Sequence, residues 1–255
     1  MEILDEIKKD FIRDLIKNGK RADERKFDEY RKIKIEKNPL TSAEGSATVH
    51  IGKTQVLVAT KLGVVTPFSD RPKEGVLATN CEMLPLASPT FESGPPSESS
   101  IELARVVDRG IRSSEILDLG SLFIEDDKVW GVFIDLYILD HDGNLFDAAA
   151  LAAMSSLLSV KFPKYEDGVV IREPTKPLKL KSKVVSCTVA KINDQTMFDP
   201  TCDEEIAMDS RITIATTEDN ICAMQKGKSG AFRRDELLEI IDQSFKKGSE
   251  LRSML

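Results

Sequence analysis

Residues 129–160 read as a strand that turns into a helix, and this unit constrains the fold more than any other stretch of the chain. Val129-Trp130-Gly131-Val132-Phe133-Ile134-Asp135-Leu136-Tyr137-Ile138-Leu139 is aromatic and β-branched, the pattern of a buried strand. Asp140-His141-Asp142-Gly143-Asn144-Leu145-Phe146-Asp147 makes the turn, and Ala148 through Leu158 is rich in helix formers. A helix that begins just after a turn points unpaired N–H groups and its positive dipole end at whatever lies there. Many phosphate sites are built this way.

At 255 residues the chain can bury a full core, as one large domain or two smaller ones. Its 41% hydrophobic and 31% charged content is that of a soluble globular protein. No apolar run approaches the roughly 20 residues that span a bilayer, and charges within Met1 to Asp10 interrupt any signal-peptide core. The expectation is a cytoplasmic protein with no membrane contact. Cys81, Cys187, Cys202 and Cys222 show no C-x-x-C spacing, and only His50 and His141 stand beside them, so spacing supplies no zinc signature. Free thiols in a reducing compartment are expected. Two histidines leave little room for a nucleophile–base pair. A formal charge of −7 argues against broad coating of nucleic acid but allows a local basic patch.

Ile3, Leu4, Ile7, Phe11, Ile12, Leu15 and Ile16 recur at helical spacing before Asn18-Gly19, which predicts an N-terminal helix over residues 1–20. Whether its stripe packs on the chain or on a neighbour stays open. Lys20 to Arg25 reads as a charged, solvated connector. Alternation in 31–37, in 43–60 around Gly52-Lys53-Thr54, and in 75–84 predicts a mainly antiparallel sheet. Pro85 to Ser99 is a long Pro-, Ser- and Gly-rich loop. In the helix predicted over 100–117, Arg105, Arg109 and Arg112 share one face, while Ile101, Val107 and Ile111 form the others. Such a row is either a ladder for RNA phosphates or a set of ion pairs with Glu102, Asp108 and Glu115. Strands follow at 184–192, 211–217 and 221–225, and a helix closes the chain from 233 to 255. Gly227-Lys228-Ser229 is no Walker loop, because Cys222 stands where its first glycine is required. Asp203, Glu204, Glu205 and Asp209 form an acidic stretch that reads more readily as solvated than as a Mg²⁺ site. The order of elements predicts an α+β protein of two related halves, 21–168 and 184–255, with a connection over 169–183.

The ordered set of Arg21-x-Asp23-x-Arg25, Glu44-Gly45-Ser46-Ala47 with Gly52-x-Thr54, the Glu102/Arg105/Arg109/Arg112 helix, Asp142-Gly143 before the Ala-rich helix, and Asp199 with Glu204-Glu205 and Asp209 resembles the ribonuclease PH family. The resemblance runs from about Arg21 to Ser249. It implies the ribonuclease PH fold, two β-α-β-α halves with sheets packed around helices, assembled in six-membered rings. Active members shorten RNA from its 3′ end with inorganic phosphate, held by a Gly-Thr-Arg or Gly-Ser-Arg segment at a helix start. By resemblance the corresponding positions here are Asn144, Leu145 and Phe146, with Ser99 where an arginine of the preceding helix is expected. Leu145 has no hydroxyl, Phe146 no guanidinium, and Asp147 adds negative charge. Asp209 matches the second acidic position as a vestige.

This pattern is similar to the non-catalytic ring subunits of the archaeal exosome. It implies partnership with a catalytic ribonuclease PH-like paralogue in an alternating hexameric ring, caps with S1-type RNA-binding domains, and contact with single-stranded RNA through Arg112, then Arg109 and Arg105. No cofactor, metal or catalytic residue is expected. The competing expectations are a divergent phosphate-dependent 3′–5′ exoribonuclease active on its own, and a β-α domain with no role in RNA chemistry.

Overall fold

The computed structural model describes residues 2–166 and 168–255; the side chains of Ile3 and Leu4, placed in the predicted N-terminal stripe, and residue Asp167 lie outside the described set. Helix α1 (Glu2–Lys17) precedes strands β1 (Ile33–Lys37), β2 (Gly45–Ile51), β3 (Thr54–Val65) and β4 (Val76–Met83). Helix α2 (Glu98–Ser113), short β5 (Phe123–Glu125), long β6 (Lys128–Asp140) and helix α3 (Leu145–Ser159) complete the first half. A hairpin of β7 (Lys161–Glu166) and β8 (Val169–Pro177) follows, so the predicted connection contains a strand. The second half comprises β9 (Val185–Ile192), β10 (Gln195–Phe198), α4 (Cys202–Ala207), β11 (Ser210–Thr216), β12 (Ile221–Gly227) and α5 (Arg234–Arg252).

The first sheet runs β1-β2-β3-β6-β4, antiparallel except for β4 beside β6, with β5 added to β6. The second is an antiparallel sheet in the order β10-β9-β11-β12. Helix α3 packs on β2 and β3 of one sheet and β9 of the other, and α2 packs on β4, α3 and β12. The two helices form the filling between two sheets, and α5 covers β9 and β11. This is the α+β arrangement of related halves that the order of elements predicts.

Helix α3 is buried along nearly its whole length because both sheets close on it. Its small residues Ala148, Ala149, Ala152 and Ala153 permit that approach. Gly45 belongs to the same contact, since a Cβ there would lie 2.5 Å from the Ser156 carbonyl oxygen. From Val132 onward β6 alternates, turning Val132, Ile134, Leu136 and Ile138 into the core.

Helix α1 sets Ile12 and Ile16 into a second apolar cluster with Ala190, Ile192, Met197, Ala207 and Met208, which belong to the second half. The stripe therefore packs on its own chain, although Ile7 and Phe11 stay exposed. Ile101 departs from expectation, lying exposed on the same face of α2 as the arginines.

The segment 20–25 is not the solvated connector that its composition predicts. Arg21 is 2% exposed and grips Glu204 through Nε and Nη2 at 2.8 and 2.6 Å. It also donates to the carbonyls of Phe198 and Asp199 at 3.0 and 2.8 Å. Glu204 in turn closes the capping box of α4 with Thr201. The acidic stretch 199–209 is thus a helix start locked to the N-terminal arm. A charge pair this deeply buried holds only while both partners are present. Arg21→Met is expected to lower unfolding free energy by about 3–5 kcal/mol, read from urea denaturation; a loss below about 1 kcal/mol would show that the pair is not needed.

Candidate phosphate site at the start of helix α3

Asn144 caps α3 in the left-handed region, at φ 54° and ψ 48°. Asparagine tolerates this conformation better than most residues. Its side chain makes no cap hydrogen bond. It turns inward, donating from Nδ2 to Asp147 at 3.0 Å and to Asp199 at 2.8 Å. Gly143, at φ 87°, meets the second half so closely that a Cβ would overlap the Pro200 carbonyl. The turn is fixed from the other side by Thr54, whose hydroxyl donates to the Gly143 carbonyl at 2.6 Å and accepts from the Asp142 N–H at 3.1 Å.

The helix start is occupied by the protein itself. Glu205 Oε1 accepts the Asn144 N–H at 2.8 Å. A carboxylate is an apt partner for this end of a helix. Burial moves the Glu205 carboxyl above its usual range, against the pull of the Asn144 N–H and of Arg211 and Arg31.

Beside this contact lies a cavity of about 140 Å³ lined by Ser99, Glu102, His141, Leu145, Phe146, Glu205 and Arg211, among others. The structure therefore brings Ser99, Leu145 and Phe146 together, as the resemblance implies. The Arg211 guanidinium lies 4.1 Å from the Phe146 ring centroid and donates to Glu102 at 2.8 Å. Its Nε is buried without a partner among the described residues. Sequence reasoning missed Arg211, whose only signal is that it precedes the alternating run Ile212-Thr213-Ile214. The long loop also contributes: Phe91 stacks on His141 with centroids 5.3 Å apart, and the His141 N–H donates to the Ala87 carbonyl at 3.2 Å.

Two expectations need correction. Asp209 does not reach the cavity: its carboxylate pairs with Arg13 of α1 and accepts the Asn193 N–H at 2.8 Å, so it anchors the N-terminal helix. The acidic groups that do converge on the start of α3 are Glu205 and Asp199. The second correction concerns Asp147, which does not face an anion. It is 1% exposed and accepts from Tyr30, Asn144 and both the N–H and hydroxyl of Thr188 at 2.7–3.0 Å.

Asp199 is the counterpart in the second half. Burial would raise its carboxyl, but Arg31 outweighs that and holds it below the usual carboxylate range. Arg31 donates from Nε and Nη2 at 2.9 and 2.7 Å, and Arg25 adds a contact at 2.9 Å.

The three arginines of α2 are all exposed. Arg112, expected first among the RNA contacts, is the most engaged, with two bonds to Asp108 at 2.9 and 2.8 Å and one to the Leu77 carbonyl at 3.0 Å. Arg109 donates to Gln225 at 3.0 Å. Arg105 has no hydrogen-bond or ion-pair partner among the described residues. Of the predicted ion pairs only that with Asp108 forms, since Glu102 turns to Arg211.

Burial pushes the Asp147 carboxyl up to about 6, despite the donors from Asn144, Thr188 and Tyr30. A carboxyl raised in the folded state contributes stability below its unfolded value, and that contribution is lost as pH rises through the folded value. The window runs from about pH 4 to 6, with an order-of-magnitude amplitude of about 3 kcal/mol. Asp147→Asn is expected to remove this component from the pH profile of urea stability; an unchanged slope between pH 4 and 6 would contradict the assignment.

The chain matches the 3′ exoribonuclease family in both of its domains, domain 1 over residues 29–163 and domain 2 over residues 183–247. It is 50% identical to the exosome complex component Rrp42 of Thermococcus gammatolerans, across 100% of this chain and 96% of that one. Its fold superposes with a TM-score of 0.93 on a chain of the Archaeoglobus fulgidus exosome with RNA bound to the active site, at 43% identity and 98% coverage of both chains. A second solved structure, an archaeal exosome core, superposes at 0.88 with 40% identity, covering 98% of this chain and 96% of that one. By sequence and fold alike, this chain belongs to the ribonuclease PH family of 3′ exoribonucleases.

Proposed function

We propose that this chain is a non-catalytic ring subunit of an archaeal exosome, the complex that degrades RNA from the 3′ end. The observation that carries the reading is the Glu205 carboxylate on the Asn144 N–H, 2.8 Å away, at the start of α3. An attacking phosphate needs that helix start with a hydroxyl and an arginine beside it. Here the positions hold an internal carboxylate, Leu145 and Phe146. Losing the bidentate arginine alone removes a charge-assisted interaction of about 1.5–3 kcal/mol. With no phosphate seat of its own, the chain supports catalysis by shaping the site of a catalytic ribonuclease PH-like paralogue that alternates with it in a hexameric ring. Caps with S1-type RNA-binding domains complete the assembly in this reading. Its homology over the whole length to exosome components is the second support.

Contact with single-stranded RNA falls to the exposed face of α2. In this reading Arg105 and Arg109 come ahead of Arg112, because Arg112 must release Asp108 before it meets a phosphate. Such contacts are independent of sequence and weaken with salt. Among the described residues no helix is long and apolar enough to cross a membrane.

The reading predicts that the purified chain alone leaves RNA intact in phosphate, whereas mixing it with the catalytic paralogue yields shortening from the 3′ end. Robust phosphate-dependent degradation by the lone chain would instead support a divergent enzyme. Arg105→Glu with Arg109→Glu is expected to weaken RNA binding by the assembled ring without dissolving it. In filter binding the salt slope should fall by about 0.7 for each RNA phosphate that is no longer neutralised. Unchanged affinity and slope would show that these arginines serve the fold.

A further inference from the structure

The turn that leads into α3 also brings together three metal-ligating side chains that the ribonucleolytic reading does not use. His141 Nε2 and Cys202 Sγ are 3.5 Å apart, and with a carboxylate oxygen of Glu205 they form a set whose atoms all lie within 4.8 Å of one another. Cys202 and Glu205 stand three apart on α4, one turn of helix, so both side chains face the same way. His141 comes from the opposite half, at the end of β6.

The spacing is that of a coordination shell. A thiolate sulfur about 2.3 Å and an imidazole nitrogen about 2.0–2.1 Å from one tetrahedral Zn²⁺ are about 3.5 Å from each other. A plain contact between thiol and imidazole has a similar length, so other observations must decide. Glu205 uses only Oε1 on Asn144, and Oε2 has no hydrogen-bond partner among the described residues. Phe91 stacks on the imidazole and covers it.

We infer that His141, Cys202 and Glu205 form a binding site for one divalent transition-metal ion, Zn²⁺ by its nitrogen, sulfur and oxygen donors, with a fourth position for water. The soft sulfur beside an imidazole selects against Mg²⁺ and Ca²⁺, which take oxygen ligands. Uptake releases the thiol proton to solvent and moves the imidazole proton from Nε2 to Nδ1. That shift gives up the long contact of the Gly143 N–H to Nδ1 at 3.3 Å. The Glu205 bond to Asn144 is kept, because the ion takes the other oxygen. The bound ion ties the end of β6 to α4, and so one half to the other. This inference stands independently of the exosome reading.

The test is a Co²⁺ titration of the tag-free, full-length chain. The expected result is one ion per chain, with a thiolate-to-cobalt charge-transfer band, the intense visible bands of four-coordinate cobalt, and displacement by Zn²⁺. Cys202→Ser should abolish the charge-transfer band, and Cys222→Ser should leave it unchanged. His141→Gln and Glu205→Gln should each weaken binding by at least the roughly 10–100-fold seen for outer-shell partners. If Cys202→Ser fails to fold by circular dichroism, His141→Gln decides, because it keeps every thiol while removing one ligand. Absence of a thiolate band, its survival in Cys202→Ser, its loss in Cys222→Ser, or full affinity in His141→Gln overturns the proposal.

Discussion

The structure depends on a buried seam of charge between the N-terminal arm and the second half. Arg21 holds Glu204 with side chains 0% and 2% exposed, and Arg25, Arg31 and Asn144 converge on Asp199, whose side chain is 0% exposed. Charges removed from water to this degree persist only when each finds a geometrically matched partner. Arginine suits the task, because its planar fork meets a carboxylate through two bonds. The seam carries the start of α4 to the start of α3, and that approach delivers Glu205 to the Asn144 N–H. The same bonds that join the halves therefore place the chain's own carboxylate on the start of α3.

Much of the scaffold was legible because its signals are local. The apolar run of β6, the alanines of α3 and the periodicity of α5 each report their own secondary structure. The short strands β5 and β10 have too few residues for a period to register. Residues 169–177 read as a connection because Pro174 and Pro177 disguise an exposed hairpin strand. The charged segment 20–25 misled for a different reason. Nothing in Arg21 itself tells a solvated arginine from one paired 183 residues away with Glu204.

The resemblance pointed to Ser99, Leu145 and Phe146, which do line one cavity, but not to their neighbours from the second half. Set against the family's helix-start segment, Leu145 and Phe146 lack the hydroxyl and guanidinium that the resemblance implies. What stands in their place comes from the other half: Glu205 on the helix start and Arg211 over the Phe146 ring. Asp209 was misplaced on the same account, since counting along an acidic stretch cannot show that α4 turns Glu205 inward and leaves Asp209 to Arg13. His141 and Cys202, 61 residues apart, likewise fit no metal motif by spacing. On α2 the arginine spacing was sound, but their availability depended on Asp108 and Gln225, which only the folded chain positions.

The central claim is that the anion seat at α3 is closed by the chain's own carboxylate. Isothermal titration of the chain with inorganic phosphate tests it most directly, with Glu205→Ala measured alongside. The account predicts no saturable binding to the unaltered chain and a gain of weak binding in Glu205→Ala, where the Asn144 N–H is released. Stoichiometric phosphate uptake by the unaltered chain, undiminished or unchanged in Glu205→Ala, would contradict it.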